Sequence, residues 1–289
     1  MTNKLILNYL GDAVLYSRDL ALLDCQTSWL NSDIIHFHFL RLQNEPSLVL
    51  GSGTKNAAAD DGCIDCLFLD PTIVSFIMYQ LDESDQDEVS NLTSAWNLSS
   101  TNDVEEQNVK RIFVPINDEH KSSHMSYASG QHASGSHWSL LVIDIITAAS
   151  SRNETQPKIL FYSFDSHHGY NIFAAKAVAN KMYSVLQQHY ISMPKDRTSI
   201  VNVTECQALQ QNNGYDCGIY TLGHAEALLR FSNGTSGRNN KGLLDEKAIE
   251  TAFASYFNDM GGPVNFASNM RKRIGDDIRK LALEYQKSH

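Results

Sequence analysis

Gln210-Gln211-Asn212-Asn213-Gly214-Tyr215-Asp216-Cys217-Gly218-Ile219-Tyr220 marks a change from turn formers to apolar residues at helical spacing. Gly and Asn favour turn conformations, whereas Cys217 to Arg230 (CGIYTLGHAEALLR) repeats its apolar residues with the period of a helix face. Cys217 is therefore expected where a loop enters a helix. At such a place, unpaired backbone N–H groups and the positive end of the helix dipole stabilise a thiolate, and can lower a cysteine pKa from ~8.5 into the ~3.5 to 7.5 range. A lone cysteine before an apolar helix is more often a small buried residue, so the reading rests on the partners the rest of the chain supplies.

Upstream of this junction the pattern is β-rich. Arg111 to Ile116 (RIFVPI), Trp138 to Ile146 (WSLLVIDII) and Lys158 to Phe164 (KILFYSF) are almost continuously apolar, as central strands covered on both faces should be, and Ile200 to Thr204 is a fourth run. Between the last two, Asn171 to Tyr190 is amphipathic, with Ile172, Ala175, Val178, Ala179, Met182, Val185 and Leu186 on one side. Downstream, a polar loop at Ser232 to Lys241 precedes helices near Asp245 to Phe257 and Phe266 to Tyr285. The architecture predicted is α+β, a sheet flanked by helices, in one domain spanning 1–289.

The N-terminal part contains a broad-faced helix built on Ile34, Ile35, Phe37, Phe39, Leu40 and Leu42, with Asn31 or Ser32 able to cap it. Trp29 precedes it, and a tryptophan at such a junction is either a packing anchor or part of a ligand-facing wall; packing is the commoner. A second helix opens at Asp70-Pro71, a capping residue followed by the residue best suited to the first helical position. From Asp82 to Asn108 there are eight acidic and no basic residues with weak periodicity, which predicts a solvated, mobile insertion, Trp96 excepted.

Charge and cysteine usage bound the function. A net charge of −10 without a Lys/Arg cluster argues against a nucleic-acid partner. No apolar run reaches the ~18 to 20 residues of a membrane span, and no signal peptide opens the chain. Five cysteines, at 25, 63, 66, 206 and 217, fit reduced thiols better than a disulfide framework, which places the chain in cytosol or nucleus and makes its glycosylation sequons chance matches. Cys63-x-x-Cys66 has zinc-ligand spacing, but one pair does not make a four-ligand site, and no metal or cofactor is expected.

A cysteine nucleophile needs a base within hydrogen-bond reach and a third group to hold that base. Eleven histidines compete. His137 immediately precedes one strand and Asp165 immediately follows the next; two strands joined by the polar turn Thr147 to Gln156 are antiparallel, so the start of the first lies beside the end of the second. That juxtaposes His137 and Asp165. His132 is the rival base, His120 and His124 share its Gly/Ser-rich, solvated loop, and His167 and His168 follow Asp165 towards the cleft. Gln211, six residues before Cys217, is placed to aim its side-chain NH₂ at a developing oxyanion beside the Cys217 N–H.

Together His137-Trp138, Phe164-Asp165-Ser166 and Gln211-x-Asn213-x-x-Asp216-Cys217-Gly218 resemble the His, Asp and Gln/Cys motifs of the Ulp/sentrin-specific cysteine peptidases, in the same His, Asp, Cys order. LLDCQTSWLN, FVPIND, HWSLLVID, FDSHHGYNIFAAKAVANKM and NGYDCGIYTLGHAEALL are most similar to the deneddylase branch. The resemblance implies a papain-like fold of the Ulp type with a central mixed sheet, and hydrolysis after the C-terminal Gly-Gly of a ubiquitin-like modifier, the neddylation modifier above all, by a monomer. It implies catalytic roles for Cys217, His137, Asp165 and Gln211, and a narrow tail channel walled by Trp138 and Trp29. Similar proteins carry Asp directly after Trp-Leu-Asn; here that position is Ser32 and the acid is Asp33, the candidate tail contact. The competing readings are a SUMO-type or broader modifier protease, an acyltransferase on the same scaffold, and a modifier-binding protein without turnover.

Overall fold

The computed structural model describes residues 3–45, 65–96, 108–120, 137–147, 158–189, 201–233 and 244–288. Its centre is a five-stranded mixed sheet in the order β3 (Asp65–Phe68), β4 (Asn108–Asn117), β5 (Trp138–Thr147), β6 (Lys158–Phe164), β7 (Val203–Cys206). The β4–β5 and β5–β6 pairs are antiparallel, and the outer pairs β3–β4 and β6–β7 are parallel. Residues alternate faces along each strand, and both faces are dry. Phe113, Leu140, Val142, Tyr162 and Phe164 point to one core, and Ile112, Val114, Leu141, Ile143 and Phe161 to the other. Near-continuous apolarity in the central strands follows from this two-sided burial.

Helices close the two layers. On the first side lie α2 (Ser32–Asn44), α6 (Cys217–Asn233), α7 (Glu246–Asp259) and α8 (Gly262–Ser288), together with a hairpin of β1 (Leu5–Tyr9) and β2 (Ala13–Tyr16) leading into α1 (Ser17–Asp24). On the second side lie α3 (Pro71–Tyr79), α4 (Gln86–Ala95) and α5 (Ile172–His189). The start signals act as the sequence implies: Asn31 Oδ1 accepts from Ile34 N, and Asp70 caps α3 with Pro71 at its first position. The β1–β2 hairpin and β3 are not resolved by sequence periodicity. In the hairpin, Leu10 and Gly11 both take positive φ (55° and 77°) and Asp12 N donates to Tyr9 O, the left-handed pair a tight turn between twisted strands requires.

Two expectations are corrected. The acidic stretch does not run as a solvated excursion over 86–96: Asp85 caps α4, whose Val89 is buried, and Trp96 beyond it enters the second core. Acidic residues occupy the outer face of a short docked helix, so composition masks the few apolar anchors. Residues 97–107 lie outside the described set. His120 is not solvated either; it is 3% exposed, its Nδ1 accepts from Asn117 N, and burial pushes its pKa down to about 4. His124, His132 and Cys63 fall outside the described residues. Among the described residues no helix is long and apolar enough to cross a membrane.

Candidate active site

Leu140 pairs with Phe164 in the β5–β6 ladder, so the chain entering β5 passes the chain leaving β6. His137 and Asp165 meet there, with His137 Nε2 2.6 Å from Asp165 Oδ1. The carboxylate accepts two further hydrogen bonds, and the Asp165 backbone a third. His167 N donates to Oδ1, Asn171 N donates to Oδ2, both at 2.9 Å, and Gln210 Nε2 donates to the Asp165 carbonyl. Burial opposes its charge, but the His137 contact and these N–H groups outweigh it and hold the carboxyl below its usual range. An ionised Asp165 accepts a hydrogen bond from Nε2–H, which keeps a proton on that nitrogen and leaves Nδ1 as the other nitrogen able to exchange one.

His137 shows the converse balance. Burial would lower its pKa, yet the hydrogen bond to Asp165, the contact with Cys217 and their charges lift it to about 9. The imidazole is thus an imidazolium at neutral pH, next to the sulfur of Cys217, the first residue of α6 and only 1% exposed. Tyr170 and His167 pack against the His137 ring with centroids 4.8 and 5.9 Å away, limiting its rotation. Its backbone is pinned as well. Asp118 Oδ1 accepts from His137 N, and Asn171 Nδ2 donates to the His137 carbonyl at 3.0 Å.

The loop before Cys217 is similarly braced. Gln211 accepts from Ser166 Oγ through Oε1 (2.8 Å) and donates from Nε2 to Asn213 O (2.6 Å). One amide N–H is thus committed to the loop before Cys217, and the amide group has two. Asn213 Oδ1 accepts from Tyr215 N and Asp216 N, and its Nδ2 donates to Asp216 Oδ2.

The two tryptophans differ. Trp138 is 7% exposed and donates from Nε1 to Leu30 O at 3.0 Å, whereas Trp29 is 45% exposed and donates to Gly214 O at 2.7 Å. The Trp29–Leu30 segment is therefore strung between β5 and the loop before Cys217. It also crosses the start of α6 closely: a Cβ on Gly218 would lie 3.0 Å from Leu30 Cβ. Asp33 lies in the first turn of α2, part-exposed, 3.4 Å from Asn31 Nδ2 and 3.7 Å from Arg18. Burial, then the charge of Asp19, raises its pKa.

Asn171 and Arg271 brace the site although neither belongs to its His, Asp or Gln/Cys motifs. Asn171 has a signal, a helix-capping residue type immediately before α5; Arg271 has another, a charge on the apolar stripe of α8 between Met270 and Ile274.

A cysteine at a helix N-terminus, beside an imidazolium oriented by a buried carboxylate, defines a cysteine peptidase. The chain belongs to the Ulp1 protease family, whose C-terminal catalytic domain model matches residues 64–259. It is 30% identical to human sentrin-specific protease 8 over 227 residues, 78% of this chain and 82% of that protein. It is also 28% identical to a probable sentrin-specific protease 8 of Dictyostelium discoideum over 261 residues, 89% of this chain and 88% of that one. Among solved structures, a de-sumoylating protease superposes with a TM-score of 0.54 over 95% of this chain and 89% of its own, at 16% identity, which supports the fold.

Proposed function

We propose that this chain hydrolyses the bond after the C-terminal Gly-Gly of a ubiquitin-like modifier, in a precursor or in an isopeptide linkage to a target lysine, and that the neddylation modifier is preferred. The observation that carries the reading is the His137–Asp165 pair set against Cys217 at the start of α6. Cys217 attacks the glycine carbonyl as a thiolate and forms a thioester. His137, charged by its partners, donates its proton to the departing amine, then takes one from the water that cleaves the thioester, while Asp165 steadies the imidazolium. Gln211 and the Cys217 N–H supply donors to the oxyanion.

Selection has a steric part and a chemical part. In this reading Trp29 and Trp138 wall the passage that admits a tail without side chains, and the hydrogen bonds of Trp29 to Gly214 O and of Trp138 to Leu30 O support it by fixing both indoles. Gly-Gly is shared by several modifiers, so discrimination falls to residues just upstream in the tail, where Asp33 is the candidate contact, and to the modifier body. Similarity to the sentrin-specific protease 8 proteins supports the neddylation modifier. We place the chain in cytosol or nucleus, because its odd, sparse set of five cysteines suits reduced thiols better than a disulfide framework, and take it to act as a monomer.

The test compares kcat/KM on fluorogenic C-terminal conjugates of the neddylation modifier, ubiquitin and a SUMO-type modifier. A contact that leaves a polar group unpaired in the wrong partner is worth ~10²-fold or more, so the first should exceed the others by at least that. Equal rates on ubiquitin, or faster cutting of the SUMO-type conjugate, would overturn the preference and leave the peptidase mechanism standing.

A further inference from the structure

Arg271 is on α8, 54 residues beyond Cys217 in sequence, yet its guanidinium is fully buried against the nucleophile loop. Nε and Nη2 both donate to Asp216 Oδ1, at 2.9 and 2.7 Å. The guanidinium also reaches four backbone carbonyls: Nη1 donates to Leu22 O (3.0 Å) and Cys25 O (3.3 Å), and Nη2 to Ser28 O (2.6 Å) and Tyr215 O (3.5 Å). The fork of donors thus spans the end of α1, the residue before Trp29 and the residue before Cys217.

The geometry points to Arg271 as a positioning residue for the proposed reaction, one that sets the nucleophile and the tail-binding wall in fixed relation to each other. The inference rests on the reading of Cys217 as nucleophile. Asp216 is pinned by Arg271 on Oδ1 and by Asn213 on Oδ2, so the entry of α6, and with it the sulfur, cannot rotate independently of the loop. Ser28 is pinned by the same guanidinium, so the chain leading to Trp29 keeps its distance from Cys217. Lysine cannot reproduce this: an ammonium has three donors at one point, where guanidinium presents five in a plane.

A second arginine separates this role from ordinary anchoring. Arg279, also on α8, pairs with Asp24 at the end of α1, but both side chains are well exposed and neither touches the nucleophile loop. It joins the same two helices without reaching Asp216.

The test uses the full chain with Arg271→Gln, Arg271→Lys, Arg279→Gln, Asp216→Asn and the Arg271→Gln/Asp216→Asn double variant, each assayed well below its melting temperature. A fluorogenic modifier conjugate gives kcat per titrated active site, and iodoacetamide, which needs no tail channel, gives Cys217 alkylation as a function of pH. Misplacing a reacting group by about an ångström costs roughly a hundredfold. We expect that loss in kcat for Arg271→Gln, with slower Cys217 alkylation than the parent across the pH range, and Arg279→Gln within twofold of the parent in both. Because Arg271 acts through Asp216, the double variant should be no slower than the worse single one. Should Arg271→Gln not fold, Arg271→Lys decides, with a loss of tenfold or more expected. Parental kcat and alkylation in the folded Arg271 variant, or losses that multiply in the double one, overturn the inference. Cys217→Ala runs alongside: if it still cuts, the assignment of the nucleophile fails, whereas an inactive Cys217→Ala beside a fully active Arg271 variant sinks the positioning role alone.

Discussion

Asp165→Asn replaces the carboxylate by an amide of the same shape and removes one charge from the site. In the parent, Oδ1 accepts from His137 Nε2 and His167 N while Oδ2 accepts from Asn171 N. An amide carries only one oxygen, so its NH₂ must face a donor whichever way it sits. Turned towards His137, it forces Nε2 to accept and sends the imidazole proton to the nitrogen facing Cys217, the wrong tautomer for receiving a thiol proton. The lost charge matters as much. Unit charges about 4 Å apart at an effective dielectric of about 20 interact by roughly 4 kcal/mol, or about three pH units of proton affinity. That is the size of the lift from the ordinary 6.5 to about 9 at His137, against a burial effect of the opposite sign. The parent's kcat/KM should therefore fall on the alkaline side with an apparent pKa near 9, as His137 loses the proton it gives to the leaving amine. In Asp165→Asn that limb should move to about 6.5 or below, and kcat at neutral pH should drop on the order of 10⁴-fold, as for the equivalent change in a serine triad. The assay is kcat/KM on a fluorogenic modifier conjugate from pH 5 to 10, paired with NMR titration of ¹⁵N-histidine-labelled protein. An alkaline limb that stays near 9 in the variant would refute the assignment of Asp165 as the group that charges His137.

The elevated His137 value also couples to stability: its contribution is fully present below about pH 6.5, the unfolded value, and is lost as pH rises through about 9, so the melting temperature should fall over that window and fall less in His137→Gln. Gly223→Ala places a methyl 2.3 Å from Phe266 Cζ, and an overpacked core of this kind costs ~1–3 kcal/mol, to be read by urea denaturation. Trp96→Ala empties a buried aromatic site on the second core and should cost ~3–5 kcal/mol in the same assay; a change within error would return 82–108 to a solvated insertion. Trp29→Ala, on a half-exposed side chain, should raise KM for modifier substrates with little change in melting temperature, and an unaltered KM would remove it from the tail channel.

What the sequence made legible was local order and strand pairing. Asn31, Asp70 and Pro71 cap their helices because their side chains act within a few residues, and the apolar runs at Trp138 and Lys158 pair antiparallel because the linking segment is short. The adjacency of His137 and Asp165 follows from that pairing alone. Features carried by a few residues against a contrary background were hidden: Val89 and Trp96 dock a stretch whose average composition is solvated, and His120 is buried at the mouth of a Gly/Ser-rich segment. The hairpin over 5–16 escaped for a different reason. Its turn places Leu10, a residue with no turn preference, at positive φ beside Gly11. Contacts such as Arg271 to Asp216 join elements far apart in the chain, and only the tertiary arrangement of α8 against the start of α6 creates them.

The most direct measurement is reaction of the chain with the neddylation modifier carrying an electrophile in place of its C-terminal carboxylate, followed by peptide mapping. A single covalent adduct on Cys217, absent from Cys217→Ala and slowed in His137→Gln, is expected if the sulfur at the start of α6 attacks the Gly-Gly carbonyl. An adduct on Cys25, Cys66 or Cys206 instead, no adduct at all, or a Cys217→Ala chain that still releases the modifier, would contradict it.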